Sequence, residues 1–424
     1  MTTAIGRDLR ILFVANLFPP DYTGGAEVIN YHTCRGLIEQ GVDCSLLVVN
    51  RRAPRRVDEK YDHDGIAVHR VALAAGKRRA WTDVFDPAVY RAVAAELRRC
   101  RPHLVHIHNV SGASLAPYVA CRVQGVPVVN TLHDLWLLCP NNMLYRRDGS
   151  FCDPAQNPRG CRQCFREYDF WADIPFRRTI FAALTSNVRF FISPSRALMR
   201  LHVAAGYKPE RFRLVPHGLG AGGGESTAHA AIQTLLATRS QYRTLVFAGG
   251  GIEIKGAGVL IEALPILLRH LDRLRVIVVG TGEERLLAAF RRLAPQVSVL
   301  GWVPFQQIGA LFAAADLVLV PSTWPENFPL VTLESLKVGT PVVGSDFGGI
   351  PEQIEEGVTG YLFPVGNAAA LAEKVILHFS RPAYVRQRMR AQCADQVRTH
   401  LPFGDHIRGT LQVYREALEG TCAS

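Results

Sequence analysis

The sequence predicts an α/β protein made of two Rossmann-like, parallel-sheet domains. Three observations predict it. The chain has 424 residues, more than one hydrophobic core usually organises. Short apolar runs alternate with helix-length amphipathic stretches in two separate series, the pattern of strands joined by crossover helices. Between the series lies "GLGAGGGESTAHA", Gly-rich and poor in apolar side chains, the composition of a hinge or exposed linker. The expected organisation is a first domain over residues 1–216, a hinge over 217–242, a second domain over 243–380, and helices without further strands over 381–424.

The first series opens with "LRILFVANLF", a buried-strand run, then the turn "PPDYTGG" and the helix "AEVINYHTCRGLIEQG". In that helix Val28, Tyr31, Leu37 and Ile38 fall near helical spacing, and Gly41 closes it. The strands "VDCSLLVVN", "LVHIHN", "VPVVNTLH" and "VRFFISPS" follow, separated by helical sequence such as "PAVYRAVAAELRRC". The second series runs through "TLVFAGG", "LRVIVVGTG", "VSVLGWV", "ADLVLVPS", "TPVVGSD" and "GYLFPV".

Lys and Arg number 48 against 37 Asp and Glu, a formal charge of +11. This favours anionic partners such as nucleotides or phospholipid headgroups. Nucleic acid fits poorly, because the basic residues are dispersed and no aromatic-basic module occurs. The groups "RRAPRR" at 51–56 and "GKRR" at 76–79 suit a solvated face, or a domain working at an anionic membrane. No signal-peptide core or membrane-spanning run is visible, so the expected location is cytoplasmic, with peripheral contact at the inner face of the membrane as an option.

In open parallel sheets ligands bind beyond the carboxyl ends of the strands. After the first strand, Gly24 and Gly25 lead into a helix whose N-terminal amides suit phosphate. After "TLVFAGG", Lys255 and Gly256 precede another helix and offer an ammonium beside a permissive backbone, a diphosphate-binding chemistry. After "ADLVLVPS" comes "TWPENF", and Pro329 is expected at the first position of the helix "PLVTLESLKVG". Glu326 then stays on the loop, while Glu334 lies about a turn and a half into the helix.

The segment "PSTWPENFPLVTLESLKVGTPVVGSDFGGIPEQIEEGVTGYLF" resembles the donor-site signature of retaining GT-B glycosyltransferases, specifically glycosyltransferase family 4. "FPPDYTGGAE", "TLHD" at 131–134, "ISPSRALMRLHVAAGY" with "RFRLVPHG", "KG" at 255 and "GWVPFQQIGALFAAADLVLVPS" extend the resemblance over nearly the whole chain. It implies two Rossmann-like domains facing across a cleft, and a terminal helix that returns to the first domain. It implies that Glu334 holds the donor ribose and that Glu326 holds the sugar hydroxyls. Lys255 would hold the diphosphate, together with the amides near Phe328 to Val331 in a donor-binding segment of Asn327, Phe328, Pro329, Leu330 and Val331, and Gly24 and Gly25 would close over the same phosphates. His133 would sit against the donor sugar or the reacting centre, so the catalytic set is His133, Lys255 and Glu326. Two departures stand out: Gly249, Gly250 and Gly251 occupy a turn where the family often has Arg, and His217-Gly218 replaces the usual Asn-Gly.

The implied activity is transfer of a hexose, with retention, from a nucleoside-diphosphate sugar to a hydroxyl of a glycan, lipid-linked or natural-product acceptor. The resemblance implies same-face attack in which the departing phosphate takes the acceptor proton, with no cofactor in the chemistry. Two other readings use the same fold: a catalytically silent nucleotide-sugar-binding protein, and a nucleotide-sugar 2-epimerase. Separately, Cys139, Cys152, Cys161 and Cys164 cluster in a Pro/Asn/Gly-rich segment, and the Cys161-x-x-Cys164 knuckle with two further thiols suits a structural zinc.

Overall fold

The computed structural model describes residues 9–21, 24–75, 84–146, 149–155, 174–220, 230–293 and 295–419. The chain divides into two compact units, residues 1–218 with 403–424 and residues 219–402.

The first unit is built on β1 (Arg10–Ala15), α1 (Gly25–Glu39), β2 (Asp43–Ala53), β3 (Val57–His63), β4 (Ile66–Ala74), α2 (Pro87–Cys100), β5 (Leu104–Ile107), α3 (Ala116–Val123), β6 (Val128–Thr131), α4 (Ile174–Leu184), β7 (Val188–Ser193), α5 (Arg196–Ala204) and β8 (Phe212–Leu214). The sheet order is β3-β4-β2-β1-β5-β6-β7-β8. All pairs are parallel except β3 with β4. That antiparallel hairpin and the short β8 are not among the expected strands. Asp64 and Gly65 turn the hairpin at φ 52° and 81°, the two left-handed positions of a tight hairpin turn. Its strand "VDEKYDH" is largely polar, as an edge strand facing water is.

The second unit comprises α6 (Ala230–Ala237), β9 (Arg243–Phe247), α7 (Ala257–His270), β10 (Leu274–Val279), α8 (Glu284–Arg291), β11 (Val297–Gly301), α9 (Phe305–Ala314), β12 (Leu317–Val320), α10 (Leu330–Lys337), β13 (Val342–Ser345), β14 (Gly360–Phe363), α11 (Ala368–Ser380) and α12 (Ala383–His400). Its six strands run β11-β10-β9-β12-β13-β14, all parallel. Strands such as "LVLV" in β12 are apolar throughout because both faces are covered. Strand order reverses between β9 and β12 here, and between β1 and β5 in the first unit.

The last helix, α13 (Phe403–Glu419), belongs to the first unit. The expected boundaries therefore shift. The units part at residue 218, α6 lies in the second unit rather than a hinge, and only α13, not α12, joins the first unit. Ile407, Val413, Tyr414 and Ala417 of α13 share one core with Ile11, Phe13, Cys34 and Leu46. Ending the chain after Pro402 uncovers that core. At about 1.5–3 kcal/mol per large buried side chain, the loss rivals the roughly 5–15 kcal/mol that a domain has in total. The truncated chain is expected to lose cooperative unfolding of the first unit and to bind an apolar dye. A truncated chain that melts like the full one would contradict this.

Candidate active site

Two loops leave the strands that flank the reversal point of the second unit, where an open α/β sheet presents its ligand crevice. The loop after β9 runs through Gly249, Gly250 and Gly251 to a short turn at Glu253–Lys255, then Gly256 and α7. Gly256 adopts φ 86°, and a Cβ there would overlap the carbonyl oxygen of Pro321, so glycine alone lets this loop lie on the end of β12. Thr323 N–H donates to Ile254 O at 2.9 Å and fastens the two loops together. Gly250, at φ 56°, seats its amide on Val279 O at 2.8 Å, and a Cβ there would strike Thr281 O. The glycine run that stands where the family often has Arg is thus packed backbone to backbone against the following turn.

These constraints bring Lys255 to Glu326. Lys255 Nζ donates to Glu326 Oε1 at 2.7 Å, and Ser322 Oγ donates to the same oxygen at 2.8 Å. Glu326 is 6% exposed, whereas the Lys255 side chain keeps 35% exposure and lies 5.1 Å from the Trp324 ring, within cation–π range. The Glu326 carbonyl accepts from Gly349 N–H at 2.6 Å, which fixes the backbone of the loop. Asn327 and Phe328 are buried. The sequence reading did not single out Ser322 or Trp324, although both lie within four residues of Glu326.

The helix after this loop begins one residue later than expected. Pro329 has ψ 123° and caps α10 from outside, and Leu330 is its first helical residue. The first amides of a helix have no intrahelical acceptor, so the start of α10 faces its surroundings with donors. Glu334 lies in the second turn and is 9% exposed. Among the described residues no donor is within hydrogen-bond range of its carboxylate, and burial pushes its pKa up to about 8, opposed by the charge of Lys337. Lys337 is itself committed, donating to Gly220 O at 2.6 Å and Leu219 O at 3.3 Å. Among the described residues, the second unit therefore carries one paired buried carboxylate, Glu326, and one without a hydrogen-bond donor, Glu334.

In the first unit, Gly24 precedes α1 with extended backbone, and its N–H donates to Glu27 Oε2 at 2.9 Å. The Gly24 amide that was expected to hold phosphate is taken by a buried carboxylate, half of a capping box. Gly25 is the first residue of α1. His133 follows β6 and belongs to a chain of imidazoles. His108 Nδ1 and His133 Nε2 are 2.7 Å apart, and ring centroids separate His106 from His108 by 4.2 Å, His133 from His217 by 5.4 Å and His217 from His406 by 5.8 Å. His106 bonds Tyr414 at 2.6 Å and Thr131 at 2.7 Å, and His406 Nδ1 donates to Pro216 O at 2.9 Å. Burial keeps all five neutral, with His133 lowered to about 3, His406 to about 4, and His106, His108 and His217 well below the ordinary value. Only His133 of these was expected in a site. His217, noted as a departure from the family, is a member of this chain.

Cys139 and Cys152 are buried, and Cys139 Sγ donates to Asn141 Oδ1 at 2.7 Å. Cys161 and Cys164 lie outside the described residues. Among the described residues no cluster of His, Cys, Asp or Glu forms a metal site, and no helix is long and apolar enough to cross a membrane.

Residues 23–220 match the family described as Glycosyltransferase Family 4, and residues 233–399 match Glycosyl transferases group 1. Among curated relatives, D-inositol 3-phosphate glycosyltransferase 1 of Catenulispora acidiphila is 29% identical over 415 residues, covering 94% of this chain and 92% of the relative. Among solved structures, Anabaena Alr3699/HepE in complex with UDP-glucose superposes with a TM-score of 0.69 at 19% identity, over 96% of this chain and 100% of that one. Sucrose-phosphate synthase from Thermosynechococcus elongatus gives 0.74 at 17% identity, over 97% and 100%. With two parallel-sheet units and family matches on both, the chain belongs to the GT-B glycosyltransferases of the family 4 type.

Proposed function

We propose that the protein transfers a hexose, with retention of configuration, from a nucleoside-diphosphate sugar to a hydroxyl of a polar acceptor such as an inositol phosphate or a lipid-linked glycan. The observation that carries this reading is the pairing of Lys255 with Glu326 beside the start of α10, with the unpaired Glu334 one helical turn further on. The leaving group is a diphosphate, and its developing charge requires a cation and oriented dipoles. Lys255 and the first amides of α10 supply them. Glu334 accepts from the ribose hydroxyls and Glu326 from the sugar. The bond from the anomeric carbon to the diphosphate oxygen breaks as the acceptor oxygen bonds the same face, and the acceptor proton passes to the departing phosphate. The inositol acceptor is suggested by the Catenulispora relative, whose name carries it.

A panel of nucleotide sugars, assayed for hydrolysis and for transfer to inositol phosphates and lipid-linked glycans, tests the reading. Tight binding without turnover of any donor would favour the silent binding protein instead. Lys255→Ala is expected to lower kcat about 100-fold, with a smaller change in donor KM, because its charge matters most as the leaving group forms. Normal turnover of this variant at saturating donor would remove Lys255 from the chemistry.

The four-cysteine zinc is kept as part of the proposal. Protein purified without a chelating tag is expected to carry one zinc per chain by elemental analysis, and metal-free protein of full stability would withdraw it.

A further inference from the structure

His108 stands immediately after β5, and His106 two residues earlier points to the same face of the sheet, as alternation along a strand requires. The ring of His108 is held on two sides, stacked on Phe13 at 5.3 Å and near His106 at 4.2 Å. Its Nδ1 meets Nε2 of His133 at 2.7 Å, with 22° between the ring planes. Two neutral imidazoles in this contact share one proton, and the question is which ring owns it. The far nitrogen of His108 decides. His108 Nε2 is buried and has no hydrogen-bond partner among the described residues. A proton placed there would be a buried N–H without an acceptor, while a proton on Nδ1 leaves only a lone pair unmet. Orphaned buried donors are the rarer of the two in folded proteins, so the proton belongs on Nδ1, where it is used.

We propose that His108 is a positioning residue that donates from Nδ1 to His133 Nε2 and thereby fixes His133 as the tautomer protonated on Nδ1. His133 then carries its N–H on the other nitrogen, Nδ1. With Nε2 engaged it is neither a base through that atom nor a cation, since the burial of His108 and the partial burial of His133 favour the neutral form. A neutral imidazole donor of this kind can hold a sugar hydroxyl without placing a fixed positive charge beside a developing one. That the donor meets the bound sugar rests on the proposed function; the tautomer does not.

Two variants separate the hydrogen bond from the ring. His108→Phe keeps an aromatic ring between its neighbours and loses Nδ1. His108→Asn loses the ring but keeps a polar atom near the Nδ1 position. Long-range proton–nitrogen correlation spectra of histidine-labelled full-length protein, assigned with a His133→Gln variant, report the tautomer directly. The expected result for the unaltered protein is His133 protonated on Nδ1 alone. In His108→Phe that signal is lost or mixed and kcat falls at least tenfold with little change in donor KM, while His108→Asn recovers the greater part of both. His133 protonated on Nε2 in the unaltered protein overturns the proposal, as does a His108→Phe protein with unchanged tautomer and kcat. If no donor is turned over at all, the proposed function fails, and the spectra still decide the tautomer.

Discussion

Raising the pH from 6 to 8.5 should tighten binding of a nucleotide sugar by nearly two orders of magnitude. The cause is Glu334, whose pKa is pushed up to about 8 by burial, with no hydrogen-bond donor to its carboxylate among the described residues. A ribose accepted by this carboxylate is held best when the group is ionised, because a charged acceptor makes the stronger bond. The free protein at pH 6 holds Glu334 protonated, and binding must expel that proton. Each pH unit below the free pKa then costs about tenfold in affinity, or roughly 1.4 kcal/mol. Glu334→Gln should bind weakly and lose this slope. A nucleotide sugar is preferred over a free diphosphate in the titration, since a terminal phosphate ionises near pH 6 and would add a slope of its own. Calorimetry at pH 7 in two buffers of different ionisation enthalpy should show close to one proton released per donor bound in the unaltered protein and none in the variant. Parallel affinity profiles for the two proteins would exclude Glu334 from the ribose site.

The same burial has an opposite consequence for stability. A carboxyl whose folded pKa lies above its unfolded value destabilises the fold wherever the unfolded chain is ionised, here above about pH 4.5. Glu334→Gln is therefore expected to stabilise the empty second unit at pH 7 by an amount on the order of 3 kcal/mol. Loss of donor binding with a gain of stability is the signature of a side chain kept for its ligand.

The strand and helix alternation, the loops that carry Lys255 and Glu326, and the segment around Glu334 were legible because each depends on local sequence. Apolar runs of strand length, glycines after strands and a proline before a helix act within a few residues. The β3–β4 hairpin was missed although Asp64-Gly65 marks its turn, because the polar strand "VDEKYDH" has no apolar alternation to reveal it. The depth of Glu334 was also out of reach: a glutamate in an eight-residue helix reads as solvated, and only the packing around it shows otherwise. The partner of the Gly24 amide was out of reach in a related way. The glycine's position before α1 advertises open amides, but the side chain of Glu27 three residues on takes the first of them. The histidine chain joins His106, His108, His133, His217 and His406, which are scattered over 300 positions of sequence. The spacing of His106 and His108 was its one local sign.

That chain of imidazoles should make the first unit acid-labile. His106, His108, His217 and His406 are each less than 5% exposed, and their folded pKa values lie far below the ordinary value near 6.5. The sign follows from proton counting: below about pH 6.5 the unfolded chain binds protons at these rings and the folded chain does not, so stability present above that pH is lost as pH falls. Between pH 7 and 5 each ring that stays neutral contributes a loss of about 2 kcal/mol, and four of them approach the roughly 5–15 kcal/mol available to a whole domain. His133, with partial exposure, adds less. Denaturant titrations of the full chain followed by a probe in the first unit should show its midpoint collapsing between pH 6.5 and 5. The second unit contains His229, His270, His378 and His400, and among the described ones His378 alone is buried, so its midpoint should fall far less over the same interval. Replacing His406 by Gln, which keeps hydrogen-bonding capacity without a titrating ring, should flatten the slope of the first unit by about one proton's worth. A first unit equally stable at pH 7 and pH 5 would mean that the rings open to water or accept protons in place, and the neutral tautomer assigned to His133 would then have no packing to enforce it.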